Sequence, residues 1–215
     1  MILGTAGNSL EILDAVLAGA DGGRQPDYRV VGFLDDDAET WGKTVHGVPV
    51  LGSLARLREL DRVAVINGIG STRTHKRKPQ IIEALEIPDT RFAVVRHPTA
   101  VVSTFATIGA GTVLLHNTVV CSRAKVGRHV QILPLSIVSH DVRIEDYATI
   151  AGGVCLSGHV HIGRASYIGS NTGVREGVSI GDEALVGLGS VVLRDVPAGA
   201  TVAGVPAAAI QRRTT

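Results

Sequence analysis

The sequence predicts an α/β plus β-solenoid chain: a small Rossmann-like parallel sheet, then a coil of short stacked strands. Three observations carry that prediction. Strand-like and helix-like segments alternate over residues 1–97. Beyond residue 102 an aliphatic residue recurs at every sixth position. Aromatic residues are 3% of the 215 while Gly numbers 26, so the core must be built from Val, Ile, Leu and Ala between many tight turns.

The N-terminal elements follow in order. Ile2-Leu3 is a short strand entering the turn Gly4-Thr5-Ala6-Gly7-Asn8-Ser9, and Leu10 to Ala18 is apolar-periodic and helical. Tyr28 to Leu34 reads as a strand ending in Asp35-Asp36-Asp37. Ser53 is placed to cap a helix over Leu54 to Leu60. Val63 to Ile69 is an apolar run and hence a buried strand, Thr72 to Leu85 reads as helix, and Phe92 to Val95 as a last strand before His97-Pro98. The domain division expected is 1–97, 98–207 and a short tail over 208–215.

The repeat runs from Ile108 through Leu114, Val120, Val126, Ile132, Val138 and onward to Val192, aliphatic at each step, and Val102 extends it back to sixteen hexapeptides. The fifth position of each hexapeptide is small or β-branched, and Gly recurs at the second. A period of six fits a short flat face ending in a turn; three faces close a triangular coil of eighteen residues, and the coils stack as in any solenoid. The small fifth residue is the feature expected to permit the tight corner, and periodicity leaves the handedness open.

Charge and composition exclude several classes. Lys plus Arg number 21 against 20 Asp plus Glu, so no general electrostatic attraction to nucleic acid or to anionic membrane is expected. No apolar run reaches transmembrane length and MILGTAGNS is not a signal peptide, which points to a cytoplasmic protein. Cys121 and Cys155 form no metal-type pair.

The hexapeptides resemble the left-handed β-helix of the acyltransferase superfamily. The whole chain resembles the sialic-acid-biosynthesis and bacillosamine-type sugar O- and N-acyltransferases. The resemblance rests on Gly4-Thr5-Ala6-Gly7-Asn8, Gly32-Phe33-Leu34-Asp35-Asp36, Ile69-Gly70-Ser71, His97-Pro98-Thr99-Ala100, Ser139-His140-Asp141, Leu156 to Gly163 and Val205-Pro206-Ala207, in that order over nearly the full length. It implies an N-terminal domain that holds a nucleotide-linked amino sugar. It implies a β-helix that holds acetyl-CoA between subunits of a homotrimer, and a histidine base followed by an orienting acid. The matching residues are His140 and Asp141. The first strand is shorter than in the resembled group, which points to a clipped or misplaced chain start.

The residues themselves keep rival readings open. His140 stands at an outward third position, with small Ser122 and Gly158 one coil away, so a ligand can approach its imidazole; the plain alternative is a solvated or interface histidine. Asp141 either orients His140 or pairs with His159, eighteen residues on. His159 and His161, two apart, would point the same way on a strand; a third zinc ligand is not evident and no metal is expected. His116 and His129 are expected at solvent or a subunit contact. Resembled enzymes often carry a second histidine nine residues after the base; Thr149 stands there, with a hydroxyl for the thioester carbonyl. Gly158, Gly173 and Arg175 are the remaining expected coenzyme A contacts. Gly4 and Gly7 let backbone N–H groups approach a phosphate, or merely make a turn. With Asn8, Asp35, Asp36, Gly70 and Ser71 they make the expected sugar-nucleotide site.

The activity expected is transfer of acetyl from acetyl-CoA to the amine of a nucleotide-linked 4-amino-4,6-dideoxy sugar. No acyl-enzyme is expected, since Cys121 and Cys155 lie nineteen and fifteen residues from His140. The rivals are O-acetylation of a sugar or serine hydroxyl, and a non-catalytic β-helix scaffold.

Overall fold

The computed structural model describes residues 1–22 and 28–210. The chain opens with β1 (Ile2–Leu3), α1 (Gly7–Gly22) and β2 (Phe33–Leu34). A hairpin of β3 (Thr44–Val45) and β4 (Val48–Pro49) follows, then β5 (Ile66–Asn67) and α2 (Lys78–Glu83). The parallel sheet has the order β2-β1-β5, so the first strand lies at its centre, flanked on both sides. Met1, Leu3, Leu34, Leu57, Val65 and Ile82 fill one core against this sheet, while Ile2, Ile12, Leu13, Val16 and Phe33 fill another against α1.

Several elements differ from the sequence reading. The strands at Tyr28–Leu34 and Val63–Ile69 shrink to β2 and β5. Leu54–Glu59 is a 3₁₀ helix, and Ser53 makes no capping bond; Asp36 Oδ1 accepts instead from the Leu54 N–H at 3.0 Å. The Thr72–Leu85 helix is broken into a 3₁₀ turn, His75–Arg77, and α2, with Pro79 in the first turn where its missing N–H costs nothing.

β6 (Val95–Arg96) is not the last strand of the α/β sheet. It pairs in parallel with Val113–Leu114 and opens the solenoid. The hexapeptide register therefore starts one step earlier than the aliphatic count, with Arg96 in the slot; its guanidinium bonds the Ala100 carbonyl. From there to Ala203 three parallel sheets run the length of the coil, one strand of each per turn. The aliphatic positions from Leu114 to Val192 are buried, and the fifth positions pack the corners from inside.

The corners turn at the fourth position, not the fifth. Every sixth residue from Gly111 to Gly189 has a positive φ, and most of these are not glycine: Asn117, Arg123, His129, Leu135, Asp141, Tyr147 and His159 are among them. Stacking pins this left-handed turn even where a large side chain is carried, because from His129 to Gly189 each corner N–H bonds a carbonyl of the preceding coil. The segment read as a tail begins with Ala208–Ala209, an antiparallel strand on Thr201–Ala203; residues 211–215 lie outside the described residues.

The three faces differ. The first carries Val113, Leu115, Leu133 and Ala151, which are buried against α1 and the parallel sheet. Arg128 bridges Asp89 and Asp146, and Arg164 reaches Glu83, tying the two parts at the rim. The second face presents Val101, Val119, Ile137, Cys155, Gly173 and Val191, an apolar ladder with Val101 60% and Ile137 43% exposed. The third presents Thr107, Lys125, Arg143, His161 and Ser179.

Candidate active site

The corner between the apolar and polar faces carries three columns of side chains, one rung per coil. Cys121, Ser139, Ser157 and Arg175 make the first; Ser122, His140, Gly158 and Glu176 the second; Arg123, Asp141, His159 and Gly177 the third. Backbone bonds hold the rungs in register: Asp141 N–H to Ser122 O, His159 N–H to His140 O, Gly177 N–H to Gly158 O.

His140 is half exposed, and its Nδ1 lies 2.9 Å from Asp141 Oδ2. Adjacent residues can meet this way because Asp141 holds a φ of 59°, which swings its carboxylate back toward the ring. Arg123, one coil below, grips both Asp141 oxygens at 2.6 and 2.7 Å. The forked guanidinium, and then the His140 bond, hold the Asp141 carboxyl well below the usual carboxylate range. An ionised Asp141 accepts only, so Nδ1 carries the ring proton and Nε2 is left with a free lone pair. The ring stands against Gly158, where a Cβ would lie 2.5 Å from Cε1 and 2.8 Å from Nε2.

The rival Asp141–His159 pair is looser, with Nε2 3.9 Å from Oδ2. His159 and His161 do not point together: His159 takes the left-handed corner, while His161 on the next strand bonds Glu145 at 3.2 Å. His140, Asp141 and His159 each offer one metal-type ligand atom within 4.8 Å of the others. The fork of Arg123 already fills Asp141, so a cation there would meet a guanidinium.

Among the expected coenzyme A contacts, Gly158 and Arg175 share this corner, and Gly173 lies on the adjoining apolar face, two residues before Arg175. Thr149 does not join them. It is fully buried on the first face, and its hydroxyl accepts from Lys78 Nζ at 3.0 Å. His129 also departs from expectation. It is 1% exposed, stacked 5.0 Å from Tyr147 and edge-on to Phe92, because the α/β part covers its corner. His116 is half-buried, its ring 3.9 Å from that of His97.

A second site opens at the C-terminal ends of β1, β2 and β5, where ligands of open parallel sheets bind. A cavity of about 440 Å³ is lined by all seven residues read as sugar-nucleotide contacts: Gly4, Gly7 and Asn8, then Asp35 and Asp36, then Gly70 and Ser71. Some of these side chains have internal work. Asp35 Oδ2 accepts from the Thr5 N–H and hydroxyl, fixing the glycine turn. Asn8 Nδ2 donates to Gly70 O and to Gln131 Oε1 of the solenoid. Gln131 in turn donates to Asn67 O, so this cavity is built directly onto the first solenoid face. A Cβ on Gly70 would collide with the Gln131 amide and crowd the Thr149 hydroxyl at 3.2 Å, so the position requires glycine. Arg77 also lines the cavity and was not singled out by sequence. Nor was Arg123, although counting eighteen back from Asp141 reaches it. Lys78 carries no sequence signal, since a lysine in a short helix reads as solvated.

The PglD N-terminal domain family matches residues 1–81. GDP-perosamine N-acetyltransferase of Escherichia coli O157:H7 is 32% identical over 199 residues, covering 88% of this chain and 86% of that one. The acetyltransferase domain of PglB from Neisseria gonorrhoeae superposes with a TM-score of 0.83 at 27% identity, over 97% of this chain and 98% of that one. A histidine-to-alanine variant of the Caulobacter crescentus GDP-perosamine N-acetyltransferase, solved with CoA and GDP-perosamine, superposes with a TM-score of 0.84 at 26% identity, over 98% and 95%. The chain belongs to the hexapeptide-repeat, left-handed β-helix acyltransferases that act on nucleotide sugars.

Proposed function

We propose that this chain transfers acetyl from acetyl-CoA to the amine of a GDP-linked 4-amino-4,6-dideoxy sugar, with His140 as the general base. The relatives from Escherichia coli and Caulobacter crescentus are both named GDP-perosamine N-acetyltransferase, and the second is solved with CoA and GDP-perosamine, which supports acetyl-CoA-dependent transfer to a nucleotide-linked amino sugar. The observation that carries the role of His140 is its corner: an imidazole half open to solvent, its Nδ1 on an ionised Asp141, its Nε2 above the space that Gly158 leaves.

The chemistry follows from those groups. The bound amine attacks the thioester carbonyl; a C–N bond forms and the C–S bond breaks as the tetrahedral intermediate collapses. His140 Nε2 takes the proton that the amine must lose, and Asp141 stabilises the imidazolium that results. The thiolate of coenzyme A leaves and takes this proton back from the imidazolium, which returns His140 to its neutral form. The oxyanion falls to backbone N–H groups of the corner, since Thr149 is turned into the first face. Arg175 at the top of the first column offers a cation for the phosphates of the coenzyme. Cys121 stands at the foot of the first column, one coil below Ser139, but Cys121 and Cys155 lie nineteen and fifteen residues from His140 and neither shares its column, in keeping with direct transfer.

The nucleotide belongs in the cavity between Gly4 and Ser71, with its phosphates at the start of α1, a helix of 16 residues with no acidic residue in its first turn. The working unit is a homotrimer in this reading. The apolar ladder from Val101 to Val191 supports it, because a sheet face of this composition is otherwise left to water beside the catalytic corner. Among the described residues no helix is long and apolar enough to cross a membrane. A cytoplasmic location fits the cytosolic supply of acetyl-CoA and nucleotide sugars.

The test is coenzyme A release from acetyl-CoA with GDP-, UDP- and dTDP-linked 4-amino-4,6-dideoxy sugars, wild type beside His140→Ala. Turnover of the GDP sugar, lost in the variant, is the expected result. Preference for another base corrects the nucleotide alone, and turnover that survives in the variant removes His140 as base. Release with a sugar or serine hydroxyl only would make the enzyme an O-acetyltransferase, and no release with any acceptor would leave a scaffold.

A further inference from the structure

Asp141 has two oxygens and three suitors. Oδ1 receives Arg123 Nε at 2.6 Å, and Oδ2 receives both Arg123 Nη2 at 2.7 Å and His140 Nδ1 at 2.9 Å. The guanidinium and the imidazole thus share one oxygen. Arg123 and Asp141 occupy the same left-handed corner position one coil apart, with φ of 61° and 59°, so the backbone itself brings the fork and the carboxylate into register. An isolated exposed ion pair contributes little to stability. This one is placed where its effect falls on the group that Asp141 serves.

The structure assigns to Arg123 the role of a positioning residue that, through Asp141, orients His140 and leaves its Nε2 facing away from the carboxylate. The assignment rests on the proposed role of His140 as base. Two effects lead to it. The bidentate fork fixes the plane of the carboxylate, and that plane fixes the tautomer and the tilt of the imidazole. The fork also offsets the negative charge of Asp141, which unopposed would favour the protonated imidazolium and occupy the lone pair the reaction needs. The other groups facing His140 are Ser122 below and Gly158 and His159 above; the His159 ring stands edge-on at 5.3 Å. Arg123 is therefore the one permanent cation at this corner among the described residues within direct reach of Asp141.

The experiment uses the full chain with acetyl-CoA and the sugar nucleotide that the wild type acetylates. The variants are Arg123→Gln, Arg123→Lys, Asp141→Asn, the Arg123→Gln/Asp141→Asn double variant and His140→Ala. Arg123→Gln is expected to lower kcat/KM about tenfold at pH 7, a part of the 10²–10⁴ that a positioned base supplies. It should also move the acid limb of the kcat/KM profile to higher pH. Arg123→Lys, which restores the charge without the fork, should return the limb but not the full rate. In the Asp141→Asn background the Gln substitution should cost almost nothing, because the two residues act as one unit. A rise in the KM for acetyl-CoA with kcat and the profile unmoved would make Arg123 a coenzyme contact and overturn the assignment. So would equal losses with and without Asp141. NMR titration of the His140 ring gives a readout that needs no turnover: its midpoint must rise in Arg123→Gln, and an unmoved midpoint overturns the assignment by itself. Full turnover in His140→Ala would instead remove the base reading beneath it.

Discussion

Gly158 and His140 stand one coil apart and share a volume that only one side chain can fill: a Cβ on Gly158 would lie 2.5 Å from His140 Cε1. Gly158 is buried and is not among the positive-φ glycines, so its backbone accepts alanine; the conflict is with the imidazole alone. The ring is the movable partner. Gly158→Ala is therefore expected to fold with nearly unchanged Tm while the imidazole tilts off Asp141. A displacement near 1 Å at a reacting group costs on the order of 10²-fold in kcat/KM. Steady-state kinetics beside a thermal melt check this. A rate equal to wild type would mean that His140 is not held by this contact.

Gly173 gives the complementary case. Nothing lies within 4 Å of the Cβ that an alanine would add there, so the fold has no reason to respond. If coenzyme A runs along the apolar face toward Arg175, the methyl group of Gly173→Ala meets the ligand. The KM for acetyl-CoA should then rise several-fold with the KM for the sugar nucleotide unchanged. An unchanged KM for acetyl-CoA would take Gly173 out of the cofactor groove.

Lys78 is fully buried and, among the described residues, has no carboxylate to pair with; its Nζ meets the Thr149 hydroxyl at 3.0 Å and the Ala148 carbonyl at 3.4 Å. Burial pulls its pKa down to about 7. Between that value and the ordinary lysine range the unfolded chain binds the extra proton, so stability rises with pH over this interval. Below about pH 7 the folded protein carries an uncompensated ammonium inside. Lys78→Met removes that charge at similar length. Its Tm should exceed wild type at pH 6, by roughly 2–4 °C for each kcal/mol recovered, and the gain should shrink toward pH 10. A gain that is constant with pH, or a loss at pH 6, would show that Lys78 is not strained by burial.

These positions also mark where sequence reasoning reached and where it stopped. The solenoid was legible because each hexapeptide repeats one burial decision, so Leu114 and Ile180 carry the same message many turns apart. The neighbours of His140 and Asp141, namely Ser122, Gly158 and His159, were legible because the eighteen-residue coil converts spacing into adjacency, while His140 and Asp141 themselves stood out through the family resemblance. The same count reaches Arg123, but arginine at a corner reads as solvated until the carboxylate above it is seen. Thr149 was misplaced for a different reason. The period shows that its side chain points outward, not which outward face the α/β part covers. Lys78 and His129 were hidden for that reason too, since both are buried by the docking of two parts whose contact no local pattern encodes. Asp36 took the capping role expected of Ser53 because the end of β2 comes to the start of the 3₁₀ helix through the sheet, not through the chain.

His129 predicts an acid limit to stability. Its ring is enclosed by Phe92 and Tyr147, Nδ1 has no partner, and burial lowers its pKa to about 4 despite Asp89 at 3.9 Å. His75 and His97 are shifted down as well, by burial first. The unfolded imidazoles titrate in the ordinary range near 6.5. Their neutral burial therefore contributes fully above that pH and is lost as pH falls from there toward 4. Chemical denaturation at intervals across this window should show stability falling steadily. His129→Phe keeps the ring and removes the titration; its slope should be shallower by up to one proton whatever its absolute stability. An unchanged slope would place the proton uptake elsewhere.

Ile137 tests what covers the apolar face. It lies at the middle of the ladder, 43% exposed, between Val119 and Cys155 on neighbouring coils and three residues before His140. A carboxylate there costs the isolated chain little, because the side chain already points outward. Between subunits the same carboxylate would be buried without a partner, a penalty of several kcal/mol repeated at each interface. If the proposed homotrimer forms through this face, Ile137→Glu is expected to sediment as a monomer at concentrations where the wild type is expected to sediment as a trimer. It should lose acetyl transfer together with the assembly, since the corner beside this face would then lack its neighbour. Lys125→Glu, on the polar face, should leave the oligomeric state of the wild type unchanged. A variant that stays trimeric would show that the ladder faces something other than a second copy, and a monomer with full activity would show that one subunit completes the site alone.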